Sequence, residues 1–287
     1  MTSILRCPVC RELTVRSDTG CQCAHKHTFD AARQGYVNFL LAHKKHSKEP
    51  GDSREMIQSR RRFLDRGHYD RVSGCINEAI AGALPGPEKR SVCNILDAGC
   101  GEGFYLKRLK ESLGSSDRET VFHYYGVDIS KYAVQQATQR DRTMNWFVAS
   151  IIDLPFTQSS LDIVLNVFSP LNFPEFSRIL TDTGKLVVAH PGPRHLNGLR
   201  EVIYPVAREH EETDLVDQSK GLFALSNRTR INYPLELTGS GEIMDLLAMT
   251  PYFWNIDLST RSRVEALDRL ALDVDVMISV FSKAGGS

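Results

Sequence analysis

The sequence has no apolar run approaching the roughly 18 residues that a membrane span requires, so nothing in it reads as a transmembrane helix. It has no net charge either. Its 35 Lys and Arg offset 35 Asp and Glu, so total charge selects neither nucleic acid nor membrane as a partner. Internal repeats and low-complexity tracts are absent, which excludes solenoids and disordered linkers as the main architecture. Cysteine is scarce, and its count of seven is odd, which suits a reducing compartment better than a disulfide framework. No secretory pattern precedes Cys7, so the chain is expected to be cytoplasmic. With 41% hydrophobic residues over 287 positions it can bury one large core and leave something small beside it.

What is present begins near the N-terminus. CPVC, Cys7 to Cys10, is followed by CQCAHKHTFD, Cys21 to Asp30. A C-x2-C turn presents two thiolates to one side of a knuckle, and tetrahedral zinc takes four thiolate or imidazole ligands. The second half reads in two registers of equal C-x3-H spacing, Cys21 with His25 or Cys23 with His27. Spacing does not choose between them. Four protein ligands leave no open coordination position, so the zinc is expected to be structural. Cys75, Cys93 and Cys100 lie far from the knuckle and read as small core residues.

Charge is balanced in total but not in distribution. Residues 1 to 66 hold thirteen Lys and Arg against seven Asp and Glu, an excess that the rest of the chain cancels. Its densest parts are HKKHSK, His43 to Lys48, and the run Arg60, Arg61, Arg62. A polyanion-binding end produces such an asymmetry, and so does a solvated charged face. Pro50-Gly51 breaks the chain before a helical stretch from Ser53 to Leu64, and LPGPEKR, Leu84 to Arg90, breaks it again. The expected organisation is a zinc module over residues 1–40, a basic linker and helical region over 41–90, and a catalytic domain over 91–287.

From Val92 onward, short apolar strands alternate with helical patterns. VCNILDAG leads to a helix through Leu113, and HYYGVDIS to a helix from Lys131 to Arg140. NWFVAS, LDIVLNVFS and GKLVVAHPG follow, then RINYPLEL, a helix at Gly241 to Met249, and DVDVMISVFSKA. Such spacing predicts βαβ units and a doubly wound, mostly parallel sheet in an α/β domain. The chemistry centres on LDAGCGEGFY, Leu96 to Tyr105, where a strand runs into glycines at 99, 101 and 103 just before a helix. Glycine at these places lets backbone approach a ligand closely. A dinucleotide fingerprint would need G-x-G-x-x-G, but the sixth position is Phe104, which disfavours NAD.

This turn resembles motif I of the class I S-adenosylmethionine-dependent methyltransferases, a Rossmann-like fold. In that group an acidic residue ending the second strand takes the cofactor's ribose hydroxyls, and Asp128 in YGVDIS occupies that place. The whole chain is similar to the bacterial 23S ribosomal RNA guanine-N(1) methyltransferases of the RlmA/RrmA type. The likeness is carried by CPVC, HTFDAARQGYVNFL, PGDSREM, RRFLDRGHY, LDAGCGEGFY, LPF at Leu154, PGPRHL at Pro191 and LLAMTPYFW at Leu246.

The resemblance implies zinc ligands Cys7, Cys10, Cys23 and His27, leaving Cys21 and His25 spare. It implies that Tyr69, Gly99, Gly101, Glu102, Gly103, Phe104, Asp128 and His195 line the S-adenosylmethionine site. It further implies that the substrate is a guanine N1 in a hairpin loop of 23S rRNA, with the zinc module and basic segment helping to hold the RNA. A homodimer is compatible with it. Two departures stand out. Ala149 and Ser150 replace the acidic residue that often follows the third strand to bind adenine, leaving that contact to backbone groups or to Ile151. NVFSP, Asn166 to Pro170, replaces the N-P-P-[FY] of many amino-group methyltransferases, with Asn166 and Ser169 shaping a pocket wall. Asp153 and His195 suit a general base by type, and the sequence does not choose between them. The rival reading is a small-molecule methyltransferase whose zinc module is structural or dimer-forming.

Overall fold

In a computed structural model, residues 4–44, 47, 50–84, 92–114, 120–204 and 214–284 are described. The N-terminal part is a three-stranded antiparallel ribbon of β1 (Thr14–Ser17), β2 (Gly20–Cys23) and β3 (Thr28–Asp30). The chain then forms β4 (Val37–Asn38), α1 (Arg54–Asp65) and α2 (Asp70–Ala83). Alternation follows as expected: β5 (Val92–Ala98), α3 (Phe104–Gly114), β6 (Val121–Asp128), α4 (Lys131–Arg140), β7 (Asn145–Val148) and β8 (Leu161–Val167). After these come α5 (Phe173–Ile179), β9 (Leu180–Pro191), α6 (Asn197–Ile203), α7 (Leu215–Gln218), β10 (Phe223–Thr238), α8 (Ser240–Ala248), α9 (Leu258–Glu265) and β11 (Arg269–Lys283).

The large sheet runs β10-β11-β9-β8-β5-β6-β7-β4. All pairings from β9 to β4 are parallel, and β11 runs antiparallel between β9 and β10. This is the doubly wound α/β fold expected of the catalytic domain. Its strands are apolar throughout because both faces are covered: all seven residues of β8 are buried, and β5 sends Cys93 and Ile95 to one core and Leu96 and Ala98 to the other. The two final strands are longer than RINYPLEL and DVDVMISVFSKA suggest, because they pair with each other along nearly their whole length.

Strand order reverses between β5 and β8. From β5 the chain winds outward through β6 and β7, then returns to the other side of β5 to lay down β8 and β9. The loops after β5 and β8 therefore diverge to opposite faces and open a crevice at the carboxyl edge, where α/β sheets bind ligands. The glycine turn is one of these loops, and Phe168 to Pro170 belong to the other.

The segment expected to close the zinc module also builds the sheet. Val37 and Asn38 pair in parallel with Phe147 and Val148 as its edge strand, and Tyr36, Phe39 and Leu40 are buried. The ribbon is pinned nearby. Leu5 bridges to Phe156, the Arg6 amide donates to Pro155 O at 3.0 Å, and Phe39 meets Phe29 edge-on at 5.0 Å and Phe147 at a tilt at 5.5 Å. Among the described residues no helix is long and apolar enough to cross a membrane.

Candidate functional site

Three glycines make the turn after β5. Gly99, Gly101 and Gly103 adopt φ of +89°, +52° and +84°, a region that L side chains rarely enter. A Cβ on Gly99 would overlap the Ser169 hydroxyl from the loop after β8, and one on Gly103 would lie 2.8 Å from the Trp146 ring. The amides of Gly99 and Cys100 both donate to Val127 O, at 2.8 and 3.0 Å, which holds the turn beside the end of β6.

Asp128 ends β6, as its place in YGVDIS suggests. One carboxylate oxygen accepts from the Gly101 amide at 2.9 Å and the other from the Ser130 amide at 2.8 Å, so the residue ties the turn to the start of α4. Burial raises its pKa against the pull of those two amides. Gly51, in the expected break before α1, approaches Ile129 and Ser130 closely, and Arg60 of α1 reaches over Gly101 while paired with Asp52.

Asp97 was not singled out from the sequence, yet it is the least satisfied group in the site. It is 1% exposed, and neither carboxylate oxygen meets a hydrogen-bond donor among the described residues. Burial, reinforced by repulsion from Asp128 and Glu102, pushes its pKa up to about 8. An acidic residue closing a strand just ahead of a glycine turn was the available signal. Glu102 sits differently. One of its carboxylate oxygens accepts from Arg140 Nε at 2.6 Å, so its charge is paired within the protein, and Arg140 also pairs with Asp65 at 2.8 Å. Phe104 is buried at the start of α3, with Arg140 over its ring at 5.7 Å from the centroid.

Tyr69 and His195 come together across 126 positions of sequence, with Tyr69 Oη 3.3 Å from His195 Nε2. The Asp275 amide donates to His195 Nδ1 at 3.3 Å, which leaves the proton of the neutral imidazole on Nε2, facing the tyrosine. Burial raises the Tyr69 phenol well above its ordinary range. Phe168 joins them: its ring stacks on His195 at 5.5 Å and meets Tyr69 edge-on at 6.2 Å. Sequence reasoning passed over Phe168 because a single aromatic after an apolar strand reads as core.

Asp153, a candidate base by residue type, is engaged elsewhere. Its carboxylate pairs with Arg6 at 3.0 Å and with Arg11, so it anchors the ribbon to the domain. Ala149 is buried and donates to Asp128 O at 3.1 Å, while Ser150 Oγ accepts from the Ile152 amide at 3.3 Å. Asn166 donates to Ala98 O and Pro170 O, at 2.9 and 3.0 Å, so it braces the two loops of the crevice.

The ribbon gathers Cys7, Cys10, Cys23 and His27, with their ligand atoms all within 4.8 Å of one another. Two knuckles bring this about. Arg11 takes a φ of +69° where its amide returns to Cys7 O, and Lys26 takes +63° where its amide returns to Cys23 O. His27 faces the cluster through Nδ1, 3.3 Å from Cys23 Sγ. Burial alone would raise the Cys23 thiol, but hydrogen bonds from the His27 backbone, Cys10 and the His27 ring outweigh it and bring the pKa to about 6. Burial and the neighbouring thiols push Cys10 the other way, upward, but three cysteines and one histidine with no position left open fit tetrahedral zinc. Cys21 points into the core, and His25 is exposed with its ring edge-on to His27.

The basic segment divides. Arg60, Arg61 and Arg62 are committed within the protein, to Asp52, to Gln136 and Asp65, and to Asp245. These contacts dock α1 on α4 and α8, so the run is structural cement. The side chain of Lys44, with Lys45 and Lys48, lies outside the described residues.

A family model for the N-terminal part of RlmA, a zinc ribbon, matches residues 5–48, and one for a methyltransferase domain matches residues 89–227. The YxjB protein of Bacillus subtilis (strain 168), assigned as a 23S rRNA (guanine-N(1)-)-methyltransferase, is 31% identical over 97% of this chain and 97% of its own. The 23S rRNA (guanine(748)-N(1))-methyltransferase of Streptomyces fradiae is 33% identical over 88% of this chain and 86% of its own. A Micromonospora griseorubida protein with the same general assignment is 30% identical, covering 92% and 91%.

Proposed function

Because the chain belongs to the 23S rRNA (guanine-N(1))-methyltransferases of the RlmA type, we propose that it methylates N1 of one guanine in a hairpin loop of 23S rRNA. The observation that carries this reading is the match to YxjB over 97% of both chains, which takes in the zinc ribbon together with the catalytic domain. The protein is an S-adenosylmethionine-dependent methyltransferase with one structural zinc. Its reaction belongs in the cytoplasm, beside the RNA it acts on.

When bound, S-adenosylmethionine supplies a methyl group already activated by its sulfonium. The protein's task is to place the acceptor in line and let it become electron-rich. Asp97 suits the cofactor's ammonium, because a buried carboxylate without a donor gains most from a cation. Asp128 suits the ribose hydroxyls: each of its oxygens holds one amide and retains a further lone pair. The glycine turn leaves room for the ligand, with Gly99, Gly101, Gly103 and the backbone of Glu102 along it and Phe104 beneath. Cys7, Cys10, Cys23 and His27 hold the zinc.

Guanine N1 carries a proton and no free in-plane lone pair, so the proton must leave as the methyl group arrives. With the Asp275 amide on Nδ1, the His195 proton sits on Nε2 toward Tyr69, so in this reading His195 orients the tyrosine. Single-stranded loops expose bases that can be splayed out. In this reading the ribbon and Lys44, Lys45 and Lys48 grip the phosphates, since the arginines of α1 are occupied. Incubation with labelled S-adenosylmethionine and either protein-free ribosomal RNA or a metabolite extract tests the substrate class. Label in the RNA is expected, and label confined to metabolites would establish the small-molecule reading.

A further inference from the structure

Phe168 has four features that its apolar surroundings do not explain. It follows β8 directly, where a strand with every residue buried gives way to a side chain 39% exposed. Its φ is +49°, a conformation costly for a bulky L residue and usually retained where a side chain must be aimed. The turn is fixed, with the Phe168 amide donating to Ala189 O at 2.9 Å and its neighbour Ser169 resting on Gly99 of the cofactor turn. One face of the ring lies against His195, with 21° between the planes.

The outcome is an aromatic ring backed by an imidazole and a tyrosine, held at the mouth of the crevice beside the glycine turn. Resting on the reading above, we infer that Phe168 is the platform on which the target guanine stacks once it leaves the RNA loop. The chemistry fits the substrate class. A splayed base has two apolar π-faces to cover, and an aromatic side chain is the usual partner for one of them. His195 and Tyr69 prevent the ring from swinging inward, so the stacked base stays in register with the cofactor.

The test uses the full-length protein with protein-free 23S rRNA and compares Phe168→Ala, Phe168→Leu and Phe168→Trp. Leucine preserves apolar contact with His195 but offers no π-face. The expected result is a roughly 5- to 150-fold loss of kcat/KM for RNA in the alanine and leucine variants, the range for losing one base stack. Cofactor affinity should stay within about threefold of wild type in the leucine variant, which also confirms its folding, and tryptophan should restore most of the activity. Wild-type turnover by Phe168→Leu would overturn the inference. So would a fall in its cofactor affinity as large as its fall in turnover, since Phe168 would then serve the cofactor. If wild-type protein labels no ribosomal RNA, the proposed function itself fails and the platform with it.

Discussion

The zinc ribbon and the glycine-turn pocket both crowd titratable groups into a small space, but they balance them in opposite ways. At the ribbon the groups face partners inside the protein: three thiols and an imidazole face one another, and Asp153 of the catalytic domain pairs with Arg6 and Arg11. In the pocket Asp97 is repelled by both Asp128 and Glu102, and it has no donor at all among the described residues. A closed set of ligands marks a site that holds the fold. A buried carboxylate left open, as Asp97 is, marks a site awaiting a cation from outside, and S-adenosylmethionine brings two positive centres.

The largest effect should come from breaking the closed site. Structural zinc contributes about 10 kcal/mol or more to small domains of this kind. Cys23→Ser should therefore lower bound zinc well below one per chain and expose residues 4–40 to protease, whereas Cys21→Ser should keep the zinc and cost only core packing. Elemental analysis with limited proteolysis distinguishes the two, and the reverse pattern would show that the other register binds the metal.

Breaking the open site should cost affinity without unfolding. Asp128→Ala removes the tether between Gly101 and Ser130 along with the acceptor for the ribose, a loss of roughly 1.5 to 3 kcal/mol in cofactor binding. Calorimetry should show about 10- to 150-fold weaker binding, and wild-type affinity would remove Asp128 from the site.

The orphaned carboxylate sharpens the comparison through pH. With a pKa near 8 in the free protein, Asp97 is mostly protonated at pH 7. An ammonium beside it favours the ionised form, so cofactor uptake at pH 7 should expel a proton, and affinity should rise with pH up to about 8, by at most about tenfold per unit. The sign for stability is opposite. A raised carboxyl pKa favours the fold fully below the ordinary value near 3.8, and that contribution is lost as pH climbs toward 8. Calorimetry in two buffers of different ionisation enthalpy should detect the released proton in wild type and not in Asp97→Asn.

The smallest effect concerns the lysines that follow the ribbon in sequence. Replacing Lys44, Lys45 and Lys48 by Gln should leave cofactor affinity unchanged and flatten the salt dependence of RNA binding by about 0.7 to 0.9 per lost phosphate contact on logarithmic axes. An unchanged slope would mean that these lysines face only solvent.

Much of this was legible in the residues. The βαβ alternation and the glycine turn are local patterns, and local patterns survive folding: β5, β6, β8 and their loops lie where VCNILDAG, HYYGVDIS and LDIVLNVFS place them. The zinc register was not readable from spacing, because C-x3-H occurs twice; Cys21 and Cys23 are two apart on β2 and both buried, and only the fold of the two knuckles shows that Cys23 and His27 meet Cys7 and Cys10. The role of the basic run was left open by charge alone: Arg60 pairs with nearby Asp52, while Arg61 and Arg62 meet Gln136 and Asp245, partners far along the chain that only the fold assembles. Asp97 and Phe168 escaped notice because what distinguishes them, a missing donor and an exposed ring, exists only in three dimensions.

One measurement bears on the central claim most directly. After reaction with wild-type protein, protein-free 23S rRNA should be digested to nucleosides and its methylated products identified by mass spectrometry, with Asp128→Ala as control. The account predicts a single new 1-methylguanosine per RNA molecule, strongly reduced in the control. A methyl group on a different base or a different guanine atom, or RNA that gains none while small molecules do, would contradict it.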